Sequence, residues 1–349
     1  MAGSARRRAR AAARWARLLA PHRARPGLRV FYGWDDIPEP GEPAAGGTAK
    51  FQKLAEGFPN SPHDFSLLYL GSSGLPRDLR PLLWAAQRRG APVVVNQDGV
   101  GYPGWAGSRT DAVNEPLRRA LLAADHVLYQ SEFCRRAADE FLGEARGAWE
   151  VLYNAVDTVR FAPPPARPTG SPVLLLGGDQ TQSYRLELGL RTIAALAPDA
   201  RLLVTGRVVG DPAPLLDELG ICDRVEFLGR YAQRDAPAIY GRAHVLLHTK
   251  VNDPCPNVVL EAMACGLPVV YPASGGTPEL VGDVAGVGVA HLDGWERDEP
   301  PAPEAMADAV TRVLADLDAY SAAARERAVE RFAIGPWLDH HVELFASLL

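Results

Sequence analysis

The chain has 349 residues, enough for two domains of ordinary size, and its 47% hydrophobic and 23% charged residues are typical of a soluble globular protein rather than a disordered or collagen-like one. The net charge of −5 is unevenly spread, because residues 1–27 contain eight arginines and no acidic residue, which leaves −13 on the remainder. An acidic body argues against nucleic acid as the main partner and favours a small-molecule enzyme.

Cysteine usage and hydropathy indicate the compartment. The four cysteines are widely spaced and include no Cys-x-x-Cys pair, which is typical of reduced thiols in a cytosolic protein rather than of a disulfide framework. No apolar stretch approaches the roughly 20 residues that a membrane helix requires. We therefore expect a cytoplasmic protein.

The first 27 residues are basic and have neither an apolar core nor a small-residue cleavage site, so they make a poor signal peptide. The sequence predicts a flexible, solvated tail. An alternative is weak peripheral contact with anionic lipid at the inner face of the membrane, through arginines that flank Trp15, Leu18 and Leu19.

From Leu28 onward, short apolar runs alternate with helix-length segments. The runs are β-branched or aromatic-rich and mostly apolar on both faces, as buried parallel strands are. In the first half, strands are predicted at 28–34, 65–71, 91–97, 126–132 and 149–154. Residues 28–160 are therefore predicted to form a first domain.

Residues 161–172 contain five prolines and a glycine, a composition that excludes an interior helix or a central strand and predicts a linker. The alternation then restarts. Strands are predicted at 173–178, 200–206, 223–229, 243–249, 268–272 and 286–292. Residues 173–325 are predicted to form a second domain, and residues 326–349 a C-terminal helix that packs back on the first.

Strand–helix alternation in both halves predicts the fold class. We expect an α/β protein with two Rossmann-like, doubly wound parallel-sheet domains that face each other across a cleft. Ligands of such sheets bind outside the carboxyl ends of the strands.

Small residues follow three predicted strands or open helices in the second half: Gly177-Gly178, Pro256-Asn257 and Gly275-Gly276. Helix N-termini expose unbonded N–H groups and the positive end of a dipole, so several together make an anion site. Each motif alone is as well explained by ordinary turn chemistry.

Two carboxylates lie near the second of these helix starts. Asp253 precedes the helix and Glu261 is in its second turn, inside an otherwise apolar run. Carboxylates accept hydrogen bonds from vicinal hydroxyls, so a sugar or ribose ligand is expected. Capping or a salt bridge is the alternative.

The block DPCPNVVLEAMACGLPVVYPASGGTPELVG, residues 253–282, resembles the donor-binding signature of retaining nucleotide-sugar glycosyltransferases with the GT-B fold, of the family-4 type. The segments RVEFLG (224–229), VLYNAVDTVRFAP (151–163) and the terminal RFAIGPW are similar to further segments of that family. The resemblance covers the second half and the linker. It implies a hexosyltransferase whose first domain is the acceptor side and whose second binds the donor.

The resemblance also implies roles for individual residues. Glu261 would hold the donor's ribose hydroxyls, and Asp253, in place of the family's glutamate, would contact the hydroxyls of the donor sugar. The donor-sugar pocket would be lined by Cys255, Pro256 and Asn257.

Glycine loops and base contacts are implied in the same way. Gly275 and Gly276 match the family's Gly-Gly pair, and Gly177 and Gly178 follow the first strand of the donor domain. The glycine loop that approaches the donor phosphates from the first domain is matched by Gly46 and Gly47. Contact with the nucleotide base is expected at Gly229, Arg230 and Tyr231.

The sequence departs from the family at two further places. The family has an arginine and a lysine that bind the diphosphate; Asp179 stands at the first position, and the second falls on Tyr184 or Arg185. Arg185 is the predicted cation and Arg207 a possible substitute, and both are also explained as solvated arginines. A catalytic-site histidine of the first domain is replaced within NQDG, residues 96–99. There Asp98 is a candidate acceptor-side base.

No metal-binding motif is found, and we expect neither a metal nor another cofactor. The leading hypothesis is transfer, with retention, from a nucleoside-diphosphate sugar to a hydroxyl acceptor such as a saccharide or a lipid-linked saccharide, in polysaccharide, glycolipid or small-glycoside synthesis. The alternatives are a nucleotide-sugar epimerase or phosphorylase, and a catalytically idle nucleotide-sugar-binding protein.

Overall fold

The computed structural model describes residues 14–16, 18, 27–38, 47–292 and 294–349. The described residues form eleven strands in two sheets, and every predicted strand is found. All strand pairs within the two sheets are parallel, so the predicted fold of two parallel-sheet domains is confirmed.

The first sheet has the order β1-β2-β3-β4-β5. Its strands are β1 (Val30–Phe31), β2 (Leu67–Gly71), β3 (Val93–Gln97), β4 (His126–Tyr129) and β5 (Ala148–Val151). The intervening helices are α1 (Gly47–Ala55), α2 (Leu79–Arg89), α3 (Pro103–Ala106), α4 (Thr110–Ala123) and α5 (Glu132–Phe141). Every residue of β2 and β3 is buried, in keeping with the apolar runs that predicted them.

Helices cover both faces of this sheet. Apolar residues of α2, α4 and α5 pack on one face, where Leu82, Leu121 and Ala138 join its core. The other face is covered by α1 and by the last helix of the chain, α13 (Ile334–Ser347). The C-terminal helix thus contributes Trp337 and Phe345 to the core of the first domain.

The second sheet has the order β11-β10-β9-β6-β7-β8, in which the strand order reverses between β6 and β9. Its strands are β6 (Val173–Leu176), β7 (Arg201–Thr205), β8 (Val225–Gly229), β9 (Val245–Leu247), β10 (Val269–Pro272) and β11 (Gly286–Val289). Its helices are α6 (Ser183–Ala195), α7 (Ala213–Leu219), α8 (Ala236–Tyr240), α9 (Asn257–Ala264), α10 (Thr277–Val281), α11 (Pro303–Ala315) and α12 (Leu317–Phe332).

The predicted start of the C-terminal helix at residue 326 is wrong. α12 runs from Leu317 to Phe332 without interruption, and its residues Ala324, Ala328 and Phe332 pack in the core of the second domain. The final helix begins at Ile334. Pro336 lies in its first turn, where a missing N–H costs nothing.

The chain crosses between the domains at two adjacent places. One crossing follows β5 and the other lies between α12 and α13. They are hydrogen-bonded to each other: the Val156 N–H donates to the Phe332 carbonyl over 2.8 Å, and the Ile334 N–H donates to the Val156 carbonyl over 3.0 Å.

A carboxylate also joins the domains. Glu279, in α10, accepts hydrogen bonds of 2.8 Å from the backbone N–H groups of Glu132 and Phe133, which open α5 of the first domain. The Tyr153 hydroxyl donates to the same carboxylate over 3.0 Å. The second domain therefore satisfies helix-terminal donors of the first.

Most of the predicted basic tail lies outside the described residues. Of those described, Arg14 pairs with Asp78 over 2.9 Å, and Leu18 is 4% exposed in the first-domain core. The Leu18 side chain is therefore occupied by packing rather than available to lipid. Among the described helices, none is long and apolar enough to cross a membrane.

Candidate functional site

A cavity of about 820 Å³ lies between the two domains. Residues that directly follow the carboxyl ends of strands line it from both sides: Ser72 after β2, Asp98 after β3, Gln130 after β4, Gly177 after β6 and His248 after β9. The cleft predicted from the alternation is therefore present, at the edge of the sheets where parallel α/β folds bind ligands.

Asp253 lies in the loop after β9, on the wall of the cavity. Its carboxylate accepts a hydrogen bond from Lys250 Nζ over 3.1 Å, and its other oxygen lies 3.4 Å from His248 Nε2. Burial works to raise the pKa of this carboxyl group, but Lys250, His248 and Arg185 together hold the pKa below its usual range. Asp253 is therefore a partly buried anion near two cations, Lys250 and Arg185.

Gly275 and Gly276 pack against the loop that carries Asp253. A Cβ on Gly276 would lie 1.9 Å from the Pro254 carbonyl oxygen, and one on Gly275 would lie 2.5 Å from the Asp253 carbonyl oxygen. The Gly276 N–H donates to that Asp253 oxygen over 2.9 Å. The two glycines support the loop from behind and are not among the residues that line the cavity, and their role in donor binding stays a prediction.

The start of α9 faces the cavity with Cys255, Pro256 and Asn257. The Cys255 carbonyl accepts a 2.9 Å hydrogen bond from Asn154 Nδ2 of the first domain. Gly177 lets the helix approach β6, because a Cβ there would lie 2.4 Å from the Val258 side chain. Its neighbour Gly178 also lines the cavity, with φ at +81°.

Arg185 is a buried cation on the cavity wall, with 7% of its surface exposed. Its guanidinium donates to the Asp179 carbonyl over 2.5 Å, and its Nε has no hydrogen-bond partner among the described residues. Burial lowers the pKa of the group, with Asp253 acting in the opposite direction. A buried guanidinium with an unused donor fits an anionic ligand.

Asp179 lines the cavity, but its carboxylate is engaged elsewhere. It accepts hydrogen bonds from Arg230 over 2.9 Å and from the Arg207 backbone N–H over 2.8 Å. Burial opposes ionisation, yet these donors keep the pKa of Asp179 below its usual value. Arg207 and Arg230 are exposed and lie outside the cavity lining, as does Gly229, so these three positions do not form the cavity wall.

Glu261 lies beside the cavity rather than on its wall. The Tyr240 hydroxyl donates to its carboxylate over 2.9 Å, and Tyr231 lies in the same polar group. Burial raises the pKa of Glu261, while the ammonium of Lys53 lowers it. Lys53 is itself on the cavity wall, so it connects Glu261 to the cavity.

The chain contains only three lysines, Lys50, Lys53 and Lys250, against 34 arginines, and all three lysines line this cavity. Sequence reasoning missed the two in α1, although their scarcity was a usable signal. Lys50 Nζ donates to Asn96 Oδ1, and burial lowers the pKa of Lys50 to about 8, with Asp98 opposing the shift. Lys53 Nζ donates to the Ala155 carbonyl over 2.5 Å.

The predicted glycine loop falls partly outside what the structure describes. Gly46 lies outside the described residues, whereas Gly47 begins α1. The first domain brings the two lysines of that helix to the cavity wall. The predicted approach of Gly46 and Gly47 to the donor phosphates stays a prediction.

Asp98 is fixed at the first-domain side of the cavity. Its Oδ1 accepts hydrogen bonds from the buried Ser72 hydroxyl and, over 2.7 Å, from the Gly99 N–H. The Ser72 hydroxyl in turn accepts a 2.9 Å hydrogen bond from the Asp98 backbone N–H. One oxygen of this carboxylate is thus held in place before any ligand binds. Ser72 was not predicted.

Residues 171–316 match the model of the family described as glycosyl transferases group 1. The second domain is a group 1 glycosyltransferase domain. Within it lie Asp253, Glu261 and Arg185, whereas Asp98, Lys50 and Lys53 belong to the first domain, outside the match. The predicted relationship to glycosyltransferase enzymes is confirmed at the level of this family.

Two proteins with similar sequences are named as a glycosyltransferase and a mannosyltransferase. The chain is 29% identical over 257 residues to D-inositol 3-phosphate glycosyltransferase of Mycolicibacterium smegmatis, covering 68% of this chain and 56% of that protein. It is 29% identical over 306 residues to GDP-mannose-dependent alpha-(1-6)-phosphatidylinositol monomannoside mannosyltransferase of the same organism, covering 79% of this chain and 73% of that protein. The chain thus spans little more than half the length of the first relative.

Solved structures share the two-domain fold of this chain. Anabaena HepE in complex with UDP aligns with a TM-score of 0.66 at 19% identity, over 86% of this chain and 81% of that one. Sucrose-phosphate synthase from Thermosynechococcus elongatus aligns with a TM-score of 0.66 at 21% identity, over 82% and 74%. The predicted GT-B architecture is confirmed by these neighbours.

Proposed function

We propose that the protein transfers a sugar, with retention, from a nucleoside-diphosphate sugar to a hydroxyl acceptor. The observation that carries the proposal is one interdomain cavity whose wall holds a partly buried carboxylate, Asp253, together with Arg185 and the chain's three lysines. That arrangement fits a ligand with both hydroxyls and a diphosphate.

The cations of the cavity suit a departing diphosphate. In glycosyl transfer, negative charge grows on the leaving phosphate oxygen, and pre-oriented positive groups in a site shielded from water stabilise that charge most effectively. Arg185 lies on the cavity wall, and burial makes the charged form of Lys50 costly. An anion bound beside Lys50 would offset that cost.

The carboxylates are assigned by position. Asp253, on the wall, would accept hydrogen bonds from the hydroxyls of the donor sugar, and Glu261, beside Lys53, from the ribose. Base contact is proposed on the Tyr231 side of Glu261. Asp98, across the cavity in the first domain, would orient or deprotonate the acceptor hydroxyl.

The donor half of the proposal is tested by thermal shift. A panel of UDP-, GDP- and ADP-sugars is added to the full chain, because a ligand that binds only the folded state raises its melting temperature. One member should raise it by several degrees. If no sugar nucleotide shifts the melting temperature at millimolar concentration, donor binding is excluded.

The role of Glu261 is tested with Glu261→Ala. Loss of a charged hydrogen-bond acceptor costs about 1.5–3 kcal/mol, so the donor dissociation constant should rise roughly 10- to 100-fold. Glu226→Ala is the control, because Glu226 is an exposed residue of β8 paired with Arg242 and outside the cavity. Equal donor affinity in both variants would remove Glu261 from this role.

Transfer, retention and metal independence are tested with the donor found in the panel. Product formation with an added acceptor distinguishes transfer from epimerisation, phosphorolysis or idle binding, and the anomeric proton coupling of the product reports retention. We propose that no metal is needed, because four cations already line the cavity. Activity should therefore survive EDTA, and its loss with recovery on adding Mg²⁺ would contradict this.

The proposal places the enzyme in the cytoplasm. All four cysteines are free, and three of them are buried, which suits a reducing compartment.

A further inference from the structure

The wall of the cavity is divided by chemistry. Asp98, Arg185, Asp253 and the three lysines form a polar part. Another part of the first-domain wall is apolar and comes from the segment after β3 and from α3, α4 and α5. Its members include Val100, Tyr102, Trp105, Val113, Leu117 and Phe133.

A residue of the second domain completes the apolar part. The Trp295 ring centroid lies 5.3 Å from that of Tyr102 and 5.2 Å from that of Phe133. The backbone around Trp295 is fixed to the first domain, because the Gly104 N–H donates to the Trp295 carbonyl over 2.7 Å. Asp298 accepts a 2.8 Å hydrogen bond from the Tyr102 hydroxyl. The apolar wall is thus formed by both domains together.

The apolar wall reaches the protein surface at one aromatic residue. Trp105 is 47% exposed although it lines the cavity, whereas Tyr102 and Phe133 are each 7% exposed. A half-exposed tryptophan at a cavity rim leaves a flat apolar face without a protein partner. The charged diphosphate of a sugar nucleotide gains little from such a wall, because its oxygens would lose water without replacement hydrogen bonds.

We infer that the acceptor carries an apolar, ring-containing body next to its attacking hydroxyl, and that Trp105, Tyr102 and Trp295 bind this body. The inference rests on the proposed function and specifies its acceptor class. In the transfer, the acceptor oxygen bonds to the anomeric carbon as the bond to the diphosphate oxygen breaks. The hydroxyl proton leaves to a base, and the electron pair departs with the nucleoside diphosphate.

The test compares acceptors that differ only in the aglycone. Naphthyl and methyl glycosides of glucose, galactose and mannose present the same sugar hydroxyls, so a difference reports the apolar body. The naphthyl member should have about tenfold or greater kcat/KM, since it removes an additional ring system from water. Equal efficiency for the two, or a preference for methyl glycosides, overturns the inference.

A matched pair of tryptophan variants localises the effect. Trp105→Ser should lower the ratio of naphthyl to methyl kcat/KM about tenfold, while the donor-induced thermal shift stays as in the wild type. Trp84→Ser is the control, because Trp84 is similarly exposed, at 43%, on α2 and outside the cavity. An unchanged ratio in Trp105→Ser, or an equal fall in both variants, overturns the assignment.

The outcome also separates this inference from the function on which it rests. Donor binding with transfer only to polar acceptors overturns the inference and leaves the glycosyltransferase proposal standing. Absence of both a donor-induced shift and any transfer overturns the proposed function, and the acceptor class with it.

Discussion

Replacing Lys50 by methionine should stabilise the protein near neutral pH. Lys50 is 7% exposed, and burial lowers its pKa from 10.5 to about 8. A folded-state pKa below the unfolded value means that the unfolded chain binds the proton more tightly, so the charged lysine destabilises the fold below pH 8 and this cost fades as the pH rises towards 10.5.

The size of the effect follows from the shift. At about 1.4 kcal/mol per pKa unit, the ionised lysine costs roughly 3 kcal/mol at pH 7 and about 1 kcal/mol at pH 9.5. Lys50→Met removes this cost but also removes the hydrogen bond to Asn96, worth about 1 kcal/mol. Asn96 Oδ1 keeps a 2.8 Å hydrogen bond from Gln130. The net expectation is a gain of about 2 kcal/mol at pH 7 that falls to about zero at pH 9.5.

The assay is urea unfolding of the wild type and Lys50→Met at both pH values, with the difference between the two proteins as the readout. Taking the difference cancels the other groups that titrate in this window. Arg88→Met is the control, because Arg88 is exposed on α2, and its difference from the wild type should not depend on pH. A variant less stable than the wild type at pH 7, or a difference constant with pH, would refute the reasoning.

Three further predictions concern the packing around the site. His341 is buried beside Trp337, and burial lowers its pKa to about 4. The free energy of unfolding should therefore fall by about 2 kcal/mol between pH 7 and 5, because the unfolded chain takes up the proton. In urea titrations, His341→Asn should make the free energy of unfolding less dependent on pH over this range. Glu279→Gln weakens two charge-assisted hydrogen bonds between the domains, so X-ray scattering should show a larger radius of gyration. An unchanged radius would argue that these hydrogen bonds do not hold the domains together. Gly276→Ala should displace the loop carrying Asp253 and lower transfer at least tenfold, whereas Gly335→Ala, with open space around it, should retain wild-type transfer rates.

Strands were predictable from sequence because buried parallel strands are marked by uninterrupted apolar runs. β2 and β3 are buried along their whole length, so no polar alternation obscured them. The end of the chain was harder to predict, because Pro336 is tolerated in a first turn and therefore does not mark where α12 ends and α13 begins. The sequential order of the first sheet also depends on long-range pairing that local pattern does not encode.

The part of the cavity wall formed by residues 253–257 could be predicted from the sequence. Asp253, Cys255, Pro256 and Asn257 come from a single block and do meet at the cavity. The lysines of α1 were missed, since their approach to that block depends on how the domains face each other.

The role of Gly276 could also not be read from its neighbours in sequence. In sequence, a turn glycine that contacts a ligand looks the same as a turn glycine that lets another backbone segment pack closely against it. Only the position of the Pro254 carbonyl, 1.9 Å from a Cβ on Gly276, distinguishes the two cases.

The two adjacent interdomain crossings, joined at Val156 and Ile334, restrict how the cavity can open. A single flexible tether would let one lobe twist, slide or swing freely, whereas two strands bonded side by side define one axis and leave swinging about it as the easy motion. Substrates would then enter and leave by a hinge rotation of the two domains, in which the rim of the cavity opposite these crossings separates farthest. A cross-link between the two domains at that rim would trap a bound ligand in the cavity, whereas a cross-link at the hinge axis would not.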